Sequence, residues 1–375
     1  MNVVFTCGGT GGHINPAIAI ADIMKQRHPD CNILFIGATG KMEETLVPKA
    51  GYALKCLPAS GLSRKKNFQG LKQNFYAVSC TVNAVKTCKK IFKEFQPDVV
   101  IGTGGYASFP ALYAAQKMGI PTCVHESNAV PGVTTKLAAN KADQVLVAFA
   151  ESAAYYKHPQ RVQVVGMPVR QAFWELSRSQ ARKQLGLDEK MPLVVSTFGS
   201  QGAKAMNEMT AQMFALEKKN GFPFHHIHAT GSFGAAWMPE KVKELGVDLQ
   251  KDKAIDMREY IYDMPTVLAA ADVVLGRSGS GTCNEIAATA TPCILVPSPN
   301  VTNDHQTKNA KILQERGAAI LIPESECTAG KMYDTVMALF GDEAERCRMA
   351  DALKRMAVPD SAQRICDILE NLCKR

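Results

Sequence analysis

The sequence lacks the features that define several large protein classes. No apolar run approaches the ~18 residues of a membrane-spanning helix, and the first apolar run, residues 3–5, soon meets Gly8 instead of continuing as a signal peptide. The twelve cysteines include no C-x-x-C pair, so we predict neither a zinc site nor a disulfide framework. We therefore expect a cytosolic protein with reduced cysteines, and membrane contact that is peripheral.

Motifs for common nucleotide cofactors and for metal ions are also missing. Counting G-x-G-x-x-G from Gly9 puts Ile14 at the last position, and no acid ends the second apolar run at Ile36-Gly37, so a dinucleotide site is not predicted. No P-loop occurs. No D-x-D pair is present to chelate a metal-bound diphosphate. We expect no cofactor and no metal.

Length and composition favour two packed domains. The chain has 375 residues, more than the ~250–300 at which single cores stop growing, and its 46% hydrophobic content is enough for real cores. The formal charge of +8 favours anionic partners, among which charge alone does not choose.

Short apolar runs alternate with helical stretches in both halves of the chain. This pattern predicts an α/β fold with parallel sheets covered on both faces. The runs lie at residues 3–5, 33–36, 99–101, 122–125, 145–147 and 162–165, then at 193–195, 226–229, 273–275, 294–296 and 318–322. Gly166-Met167-Pro168 is the best boundary, which predicts domains 1–168 and 169–358 and an amphipathic closing helix in 359–375.

A glycine-rich turn, Gly8-Gly9-Thr10-Gly11-Gly12-His13, follows the first apolar run. Glycine allows positive φ and close approach of a ligand to the backbone, and we expect Asn15 to cap the next helix with Pro16 at its first position. The helix N–H groups are suited to a phosphate or an oxyanion; a tight structural turn is the alternative. His13 is either a general base or a loop histidine bonded to backbone.

Two further turns and one loop repeat this pattern in the second half. Gly199-Ser200-Gln201-Gly202 and Arg277-Ser278-Gly279-Ser280-Gly281-Thr282 each follow an apolar run, and we expect helices to start at Ser200 and Thr282. Glu285 either completes a T-x-x-E capping box with Thr282 or binds a ribose diol, and the sequence leaves both open. Residues 297–306 follow another run, where His305 and Gln306 are placed to hold sugar hydroxyls.

Residues 63–94 are the best membrane-contact candidate. An apolar stripe at helical spacing is accompanied by many basic residues and one acid, Glu94, which suits anionic lipid; an ordinary helix packed on the sheet is the alternative. The stripe is Leu71, Phe75, Val78, Val82, Val85 and Phe92, and the basic residues are Arg64, Lys65, Lys66, Lys72, Lys86, Lys89, Lys90 and Lys93.

Taken together in this order, the motifs resemble the MurG family of transferases. The matching segments are Gly8-Gly9-Thr10-Gly11-Gly12-His13 with Pro16, Gly104-Gly105-Tyr106-Ala107-Ser108, His125-Glu126-Ser127-Asn128, Gly199-Ser200-Gln201-Gly202-Ala203, Arg277-Ser278-Gly279 with Glu285, and Asp304-His305-Gln306 with Asn309-Ala310. Any one of them alone is a weak signal, whereas the ordered set is specific.

The resemblance implies a GT-B glycosyltransferase, with two Rossmann-like doubly wound domains facing across a cleft. Its members move N-acetylglucosamine from UDP-GlcNAc to the 4-hydroxyl of MurNAc in undecaprenyl-pyrophosphoryl-MurNAc-pentapeptide (lipid I), with inversion, giving lipid II for peptidoglycan. The family places its N-terminal domain toward acceptor and membrane and its C-terminal domain on the donor. It also implies peripheral location on the cytoplasmic face of the cell membrane, contact with anionic inner-leaflet lipid, and no nucleic acid.

The family's site residues map onto matching positions of this sequence. Glu285 would bind the ribose diol, Ile261 the uracil through its backbone, and Gln306 the GlcNAc hydroxyls. Ser200, Ser280, Gly281 and Thr282 would bind the diphosphate, and Thr10, Gly11, Gly12, Asn128 and Arg170 would complete the donor site. His13 would be the base, with Glu126 in reserve.

Three positions depart from the family pattern: Met167, Phe198 and Asn284 replace a common asparagine, glycine and serine. They put local loop geometry in question more than activity. Two rival functions remain. One is another GT-B enzyme, such as a UDP-GlcNAc 2-epimerase or a transferase acting on another lipid sugar, and the other is a non-catalytic module that binds a nucleotide sugar or lipid carrier.

Overall fold

A computed structural model describes residues 1–58 and 68–374 of the chain. The chain forms two compact units: unit 1 is Met1–Arg170 with Val358–Arg375, and unit 2 is Gln171–Ala357. The division falls shortly after Pro168, and the C-terminal helix belongs to unit 1, which the sequence left open.

Unit 1 is a seven-stranded parallel sheet with helices on both faces. The strand order is β3-β2-β1-β4-β5-β6-β7. The elements are β1 (Asn2–Thr6), α1 (Gly11–Arg27), β2 (Asn32–Ala38), α2 (Glu43–Lys49), β3 (Ala53–Leu57), α3 (Phe68–Phe95), β4 (Val99–Gly102), α4 (Ser108–Met118), β5 (Thr122–Glu126), α5 (Val133–Ala139), β6 (Gln144–Val147) and β7 (Val162–Val164). The predicted α/β class is confirmed, and β3 is an edge strand that the apolar pattern did not predict.

The C-terminal helix, α15 in chain order, covers Ser361–Cys373 and packs against α1. Ile365, Leu369 and Leu372 are buried in the core between α1 and the sheet. Each contributes on the order of 1.5–3 kcal/mol of burial free energy. Arg27 and His28, at the end of α1, bond the Glu370 carboxylate at 3.3 and 3.1 Å, so polar contacts flank this packed face.

Unit 2 repeats the architecture with six parallel strands in the order β10-β9-β8-β11-β12-β13. Its elements are α6 (Arg178–Leu185), β8 (Leu193–Thr197), α7 (Lys204–Lys219), β9 (His225–Ala229), α8 (Gly231–Ala235), α9 (Met238–Glu244), β10 (Ile255–Arg258), α10 (Met264–Ala270), β11 (Val273–Gly276), α11 (Ser280–Thr289), β12 (Cys293–Leu295), α12 (His305–Glu315), β13 (Ile320–Leu321), α13 (Ala329–Gly341) and α14 (Glu343–Met356). In each sheet the order in which strands are added reverses beside the first strand, between β1 and β4 and between β8 and β11. We call this position the switch point of the sheet.

Helix α3 does not bury its whole apolar stripe. Its small residues Ala77, Cys80, Ala84 and Cys88 are buried, as is Phe92. By contrast, three larger residues near the start of the helix are solvent-exposed: Phe75 (81%), Val78 (55%) and Val82 (50%). Among the predicted basic residues, Arg64, Lys65 and Lys66 lie outside the described residues. Within the described ranges no helix combines the length and the apolar character that crossing a bilayer requires.

Candidate active site

The glycine turns lie at the switch point of each sheet, where the strand order reverses. In unit 1 the turn after β1 meets the loop after β4, because these neighbouring strands end at the same edge of the sheet. The approach is so close that a Cβ at Gly105 would stand 2.2 Å from the Gly8 carbonyl oxygen, and one at Gly104 would stand 2.6 Å from His13 Nδ1. Both residues also have positive φ, so only glycine fits at these two positions.

Helix α1 begins inside the glycine turn. Its N-cap is Thr10, whose carbonyl accepts from the backbone N–H groups of His13 and Ile14. The predicted cap at Asn15 is therefore wrong, and Pro16 lies inside the helix. Because the helix starts earlier, the N–H groups of Gly11 and Gly12 belong to its first turn and have no partner within the helix.

His13 is half-buried in this first turn, and both its side chain and its backbone carbonyl form hydrogen bonds with Thr103 of the neighbouring loop. Its Nδ1 lies 3.1 Å from the Thr103 carbonyl oxygen, and the Thr103 hydroxyl donates to the His13 carbonyl at 2.7 Å. A carbonyl only accepts, so a neutral ring carries its proton on Nδ1 and its lone pair on Nε2. This is the tautomer that a general base acting through Nε2 requires.

A carboxylate that the sequence analysis missed lies beneath the turn. Glu43, the first residue of α2, is fully buried, and its Oε1 accepts from the Gly9 N–H at 2.9 Å and from the Ala38 N–H at 3.2 Å. The Gly9 N–H is therefore occupied by the Glu43 side chain and cannot also bind a ligand anion. The Glu43 side chain fills the space beside Gly37, because a Cβ at Gly37 would stand 2.9 Å from it.

Glu126 and Asn128 form one hydrogen-bonded loop after β5. Glu126 Oε1 accepts from the Asn128 backbone and side-chain amides at 2.9 and 3.0 Å, and Oε2 accepts from the Gly132 N–H at 3.1 Å. Gly132 is the N-cap of α5. Both oxygens of the buried carboxylate thus hold the loop, a role in positioning, while its part as reserve base stays a prediction.

Two further polar residues complete the surroundings in unit 1. His125 is fully buried, with Nε2 2.9 Å from the Gly166 carbonyl oxygen, and burial lowers the pKa of its imidazole. Arg170 is the last residue of the first stretch of unit 1 and interacts electrostatically with Asp22 of α1. Burial raises the pKa of the Asp22 carboxyl, and the Tyr52 hydroxyl and the Arg170 guanidinium oppose that rise.

In unit 2 the turn after β8 is a tight backbone structure. Gly202 N–H donates to the Gly199 carbonyl at 2.9 Å, and a Cβ at Gly202 would stand 2.0 Å from the Thr230 carbonyl oxygen. Ser200 is exposed in the middle of this turn. Because α7 begins at Lys204, Ser200 lies before the helix and not at its start, which corrects the prediction of a helix start there.

The loop after β11 leads into α11, whose first residues are Ser280, Gly281 and Thr282. The N-cap is Gly279, so Thr282 is the third helical residue, which excludes the alternative of a capping box between Thr282 and Glu285. The three first-turn N–H groups have no partner within the helix. Glu285 lies half-buried one turn further along.

Gln306 is held by two bonds at the start of α12. Its Oε1 accepts from the Ser298 N–H at 2.9 Å, and its carbonyl accepts from the Ser278 hydroxyl at 2.9 Å. The amide oxygen is thereby fixed, which turns the amide N–H₂ toward other partners. Nearby, the Asp304 carboxylate accepts from the Thr307 hydroxyl at 2.6 Å. No cluster of three His, Cys, Asp or Glu side chains suited to a metal occurs in the described part of the chain.

Ile261 follows β10 and is buried, and its neighbours in the chain are Tyr260 and Tyr262. The rings of Tyr260 and Tyr262 lie 4.8 Å apart, and Tyr262 is largely exposed. The aromatic pair was not predicted, and its signal was the Tyr-Ile-Tyr sequence itself.

Comparisons with known proteins agree with this architecture. Residues 3–147 match the Glycosyltransferase family 28 N-terminal domain, and residues 193–365 match its C-terminal domain. A protein of Acetivibrio thermocellus named UDP-N-acetylglucosamine–N-acetylmuramyl-(pentapeptide) pyrophosphoryl-undecaprenol N-acetylglucosamine transferase is 38% identical, covering 100% of this chain and 99% of that protein. A protein of the same name from an Exiguobacterium species is 36% identical, with 99% of each chain covered.

Solved structures show the same fold. The crystal structure of Acinetobacter baumannii MurG matches with a TM-score of 0.74 and 26% identity, covering 99% of each chain. A UDP-GlcNAc 2-epimerase from Neisseria meningitidis matches with a TM-score of 0.68 over 99% of this chain and 100% of that one, but at 14% identity it shows the fold alone. The two Rossmann-like parallel-sheet units make this a GT-B fold, and the matches to both domains of Glycosyltransferase family 28 make the protein a glycosyltransferase. The chain belongs to the MurG family of UDP-GlcNAc-dependent N-acetylglucosamine transferases.

Proposed function

We propose that the protein transfers N-acetylglucosamine from UDP-GlcNAc to the 4-hydroxyl of MurNAc in lipid I, giving lipid II for peptidoglycan. The observation that carries this proposal is the geometry of His13. Its Nδ1 is committed to the Thr103 carbonyl, which leaves Nε2 as the basic nitrogen of the neutral ring. A hydroxyl acceptor needs such a base at neutral pH.

In this proposal unit 2 holds the donor. The first-turn N–H groups of α11, at Ser280, Gly281 and Thr282, together with Ser200, bind the diphosphate through hydrogen bonds and the helix dipole. Glu285 accepts from the ribose diol, Ile261 binds uracil through its backbone, and the Gln306 amide donates to GlcNAc hydroxyls. As the glycosidic bond breaks, negative charge grows on the departing UDP, so preorganised donors favour the transition state over the ground state.

Unit 1 supplies the acceptor side. His13 Nε2 takes the proton of the attacking hydroxyl, which displaces UDP from the opposite face of the sugar and inverts the anomeric centre. Glu43 fixes the turn that carries His13, and Glu126 with Asn128 fixes the adjoining loop. We assign Thr10, Gly11, Gly12 and Arg170 to the remaining donor contacts by analogy with the family.

The exposed residues of α3 support peripheral binding of unit 1 to an anionic cytoplasmic leaflet. Phe75, Val78 and Val82 lie on one side of the helix at steps of three and four. Burial of these side chains in the interface, with lysines such as Lys72 and Lys86 near anionic headgroups, combines the two forces that hold such helices on lipid. Phe75→Ser should weaken flotation with phosphatidylglycerol vesicles, whereas Phe233→Ser, which changes another exposed phenylalanine in unit 2, should not.

Radiolabelled transfer from UDP-GlcNAc to a short-chain lipid I analogue, with EDTA present, tests the proposal. We expect labelled disaccharide product at an undiminished rate. A parallel incubation with UDP-GlcNAc alone tests the rival activity, because an epimerase would convert the sugar without acceptor. Epimer without acceptor, or no product with it, would refute the proposed function.

A further inference from the structure

Unit 1 contains a basic pocket that the proposed reaction does not use. It has a volume of about 270 Å³ and lies between the end of α5 and the segment 155–161, which returns the chain to β7. Its polar lining includes Lys136, Lys157, His158 and Arg161. No aspartate or glutamate lines it.

The cations of this pocket are available for a ligand. Within the described ranges no carboxylate pairs with Lys136, Lys157 or Arg161. The Lys136 ammonium lies 4.7 Å from the centre of the Tyr155 ring, which holds it at the pocket without neutralising it. Three neighbouring positive charges repel one another, so an anion between them is favoured.

The pocket also has an apolar side. Ala139, Val145 and Tyr156 are buried in its wall, and Leu137 and Tyr155 are 53% and 45% exposed beside it. The volume lies just under the ~300 Å³ at which small-molecule sites usually begin. A phosphate with a short attached group fits this size, whereas a whole nucleotide sugar does not.

We propose that this pocket binds a phosphate monoester, with Lys136, Lys157 and Arg161 on the phosphate oxygens and Leu137 with Tyr155 against the attached carbon chain. The ester belongs either to a lipid headgroup or to a small soluble metabolite. Arg161 provides a planar fork of donors for two oxygens, and the lysines provide point charges. The site is separate from the proposed donor site, so it does not depend on the proposed function.

Calorimetric titration of the full chain at low ionic strength tests the site with two soluble probes, sn-glycerol 3-phosphate and dihexanoyl phosphatidic acid below its micelle concentration. The Lys157→Ala/Arg161→Ala variant should lose at least tenfold in affinity for both probes. Lys183→Ala/Lys190→Ala, which removes two exposed charges from unit 2, should retain wild-type affinity. All four side chains are exposed, so both variants should fold normally.

The two probes distinguish the sources of the ester. If the ligand is a lipid, the acylated probe should bind at least tenfold more tightly, and Leu137→Ser should remove that advantage. If the ligand is a soluble metabolite, both probes should bind alike and Leu137→Ser should have no effect. Absence of binding, or equal binding by the Lys157→Ala/Arg161→Ala variant, would overturn the proposal.

Transferase activity with a water-soluble acceptor separates this site from the reaction. Lys157→Ala/Arg161→Ala should keep wild-type turnover while losing phosphate affinity. Failure of the pocket would then leave the proposed function intact, and failure of the proposed function would leave the binding result intact.

Discussion

The two units have the same topology and a glycine turn at the same point, but different groups lie beneath those turns. In unit 1 the Glu43 carboxylate accepts from the Gly9 N–H, and His13 stands at the helix start. In unit 2 the turn packs against the backbone of Thr230, and the helix start of α11 presents N–H groups. The topology therefore decides where a site forms, whereas the nearby side chains decide whether it suits a proton or an anion.

Unit 2 also contains a network of buried polar side chains from β8, β9 and α7. Unit 2 buries a chain of polar groups in which Glu217 accepts from His226 Nδ1 at 2.7 Å, and Ser196 Oγ lies 2.7 Å from His226 Nε2 and 2.6 Å from His228 Nδ1. All four residues are fully buried. The order Glu-His-Ser is that of a hydrolase triad, but Ser196 is fully buried and a substrate cannot reach it.

The largest effect on turnover is expected when His13, the proposed general base, is removed. His13→Ala should lower kcat by roughly 10²–10⁴-fold, because the variant lacks the proposed acceptor of the hydroxyl proton. UDP affinity, for which most of the proposed contacts lie in unit 2, should change less than about twofold by calorimetry. His28→Ala removes a different exposed histidine of unit 1 and serves as the control. Wild-type turnover in His13→Ala would exclude this residue from the mechanism.

The second prediction concerns the donor side. Glu285→Ala should weaken UDP binding by about 10–100-fold, the usual cost of losing charge-assisted hydrogen bonds. The effect should be absent in Glu240→Ala, which removes an exposed carboxylate elsewhere in unit 2. Unaltered UDP affinity measured by calorimetry would show that Glu285 does not contact the ribose.

A smaller effect should follow from changing the carboxylate beneath the unit 1 turn. Glu43→Ala leaves the half-buried Gly9 N–H and the buried Ala38 N–H without their acceptor, so the turn carrying His13 should loosen and kcat should fall about tenfold. Glu43→Gln keeps an acceptor oxygen and should recover most of the loss. UDP affinity should stay constant in both variants. A parallel loss of UDP affinity would instead indicate general unfolding.

The last prediction concerns the pH dependence of unit 2 stability. Burial lowers the pKa of His228 from 6.5 to about 3, so between these values the unfolded chain binds a proton that the folded unit does not. Stability should fall as pH drops through this window, by up to about 1.4 kcal/mol per pH unit. Burial raises the pKa of Glu217, which acts in the opposite direction above its ordinary value.

Comparison of the wild type with His228→Gln isolates the histidine contribution, since Glu217 and His226 are common to both. Urea unfolding followed by tryptophan fluorescence reports unit 2 selectively, because both tryptophans, Trp174 and Trp237, lie there. The variant should show the shallower pH slope between pH 6.5 and 4. Identical slopes would mean that His228 titrates normally.

Most strands were predictable, and the exceptions are instructive. Central strands are apolar on both faces, so runs such as residues 99–101 identify them. The edge strands β3 and β10 include polar residues such as Lys55 and Asp256, and their pattern does not stand out from a loop. Helix starts were misplaced at Asn15 and Thr282, because loop glycines allowed the helices to begin earlier.

The sequence by itself determined the α/β class, the glycine positions and the family, because these depend on local apolar runs and on residues that only one backbone shape requires. Tertiary structure alone decided that Glu43 lies beneath the first turn, that Glu126 is occupied in holding its own loop, and that Phe75 faces solvent. The contact between Glu43 and Gly9 and the burial of α3 depend on segments far apart in the chain. The Glu126 contacts depend on the conformation of the loop at residues 126–132. The spacing of residues along one segment records neither.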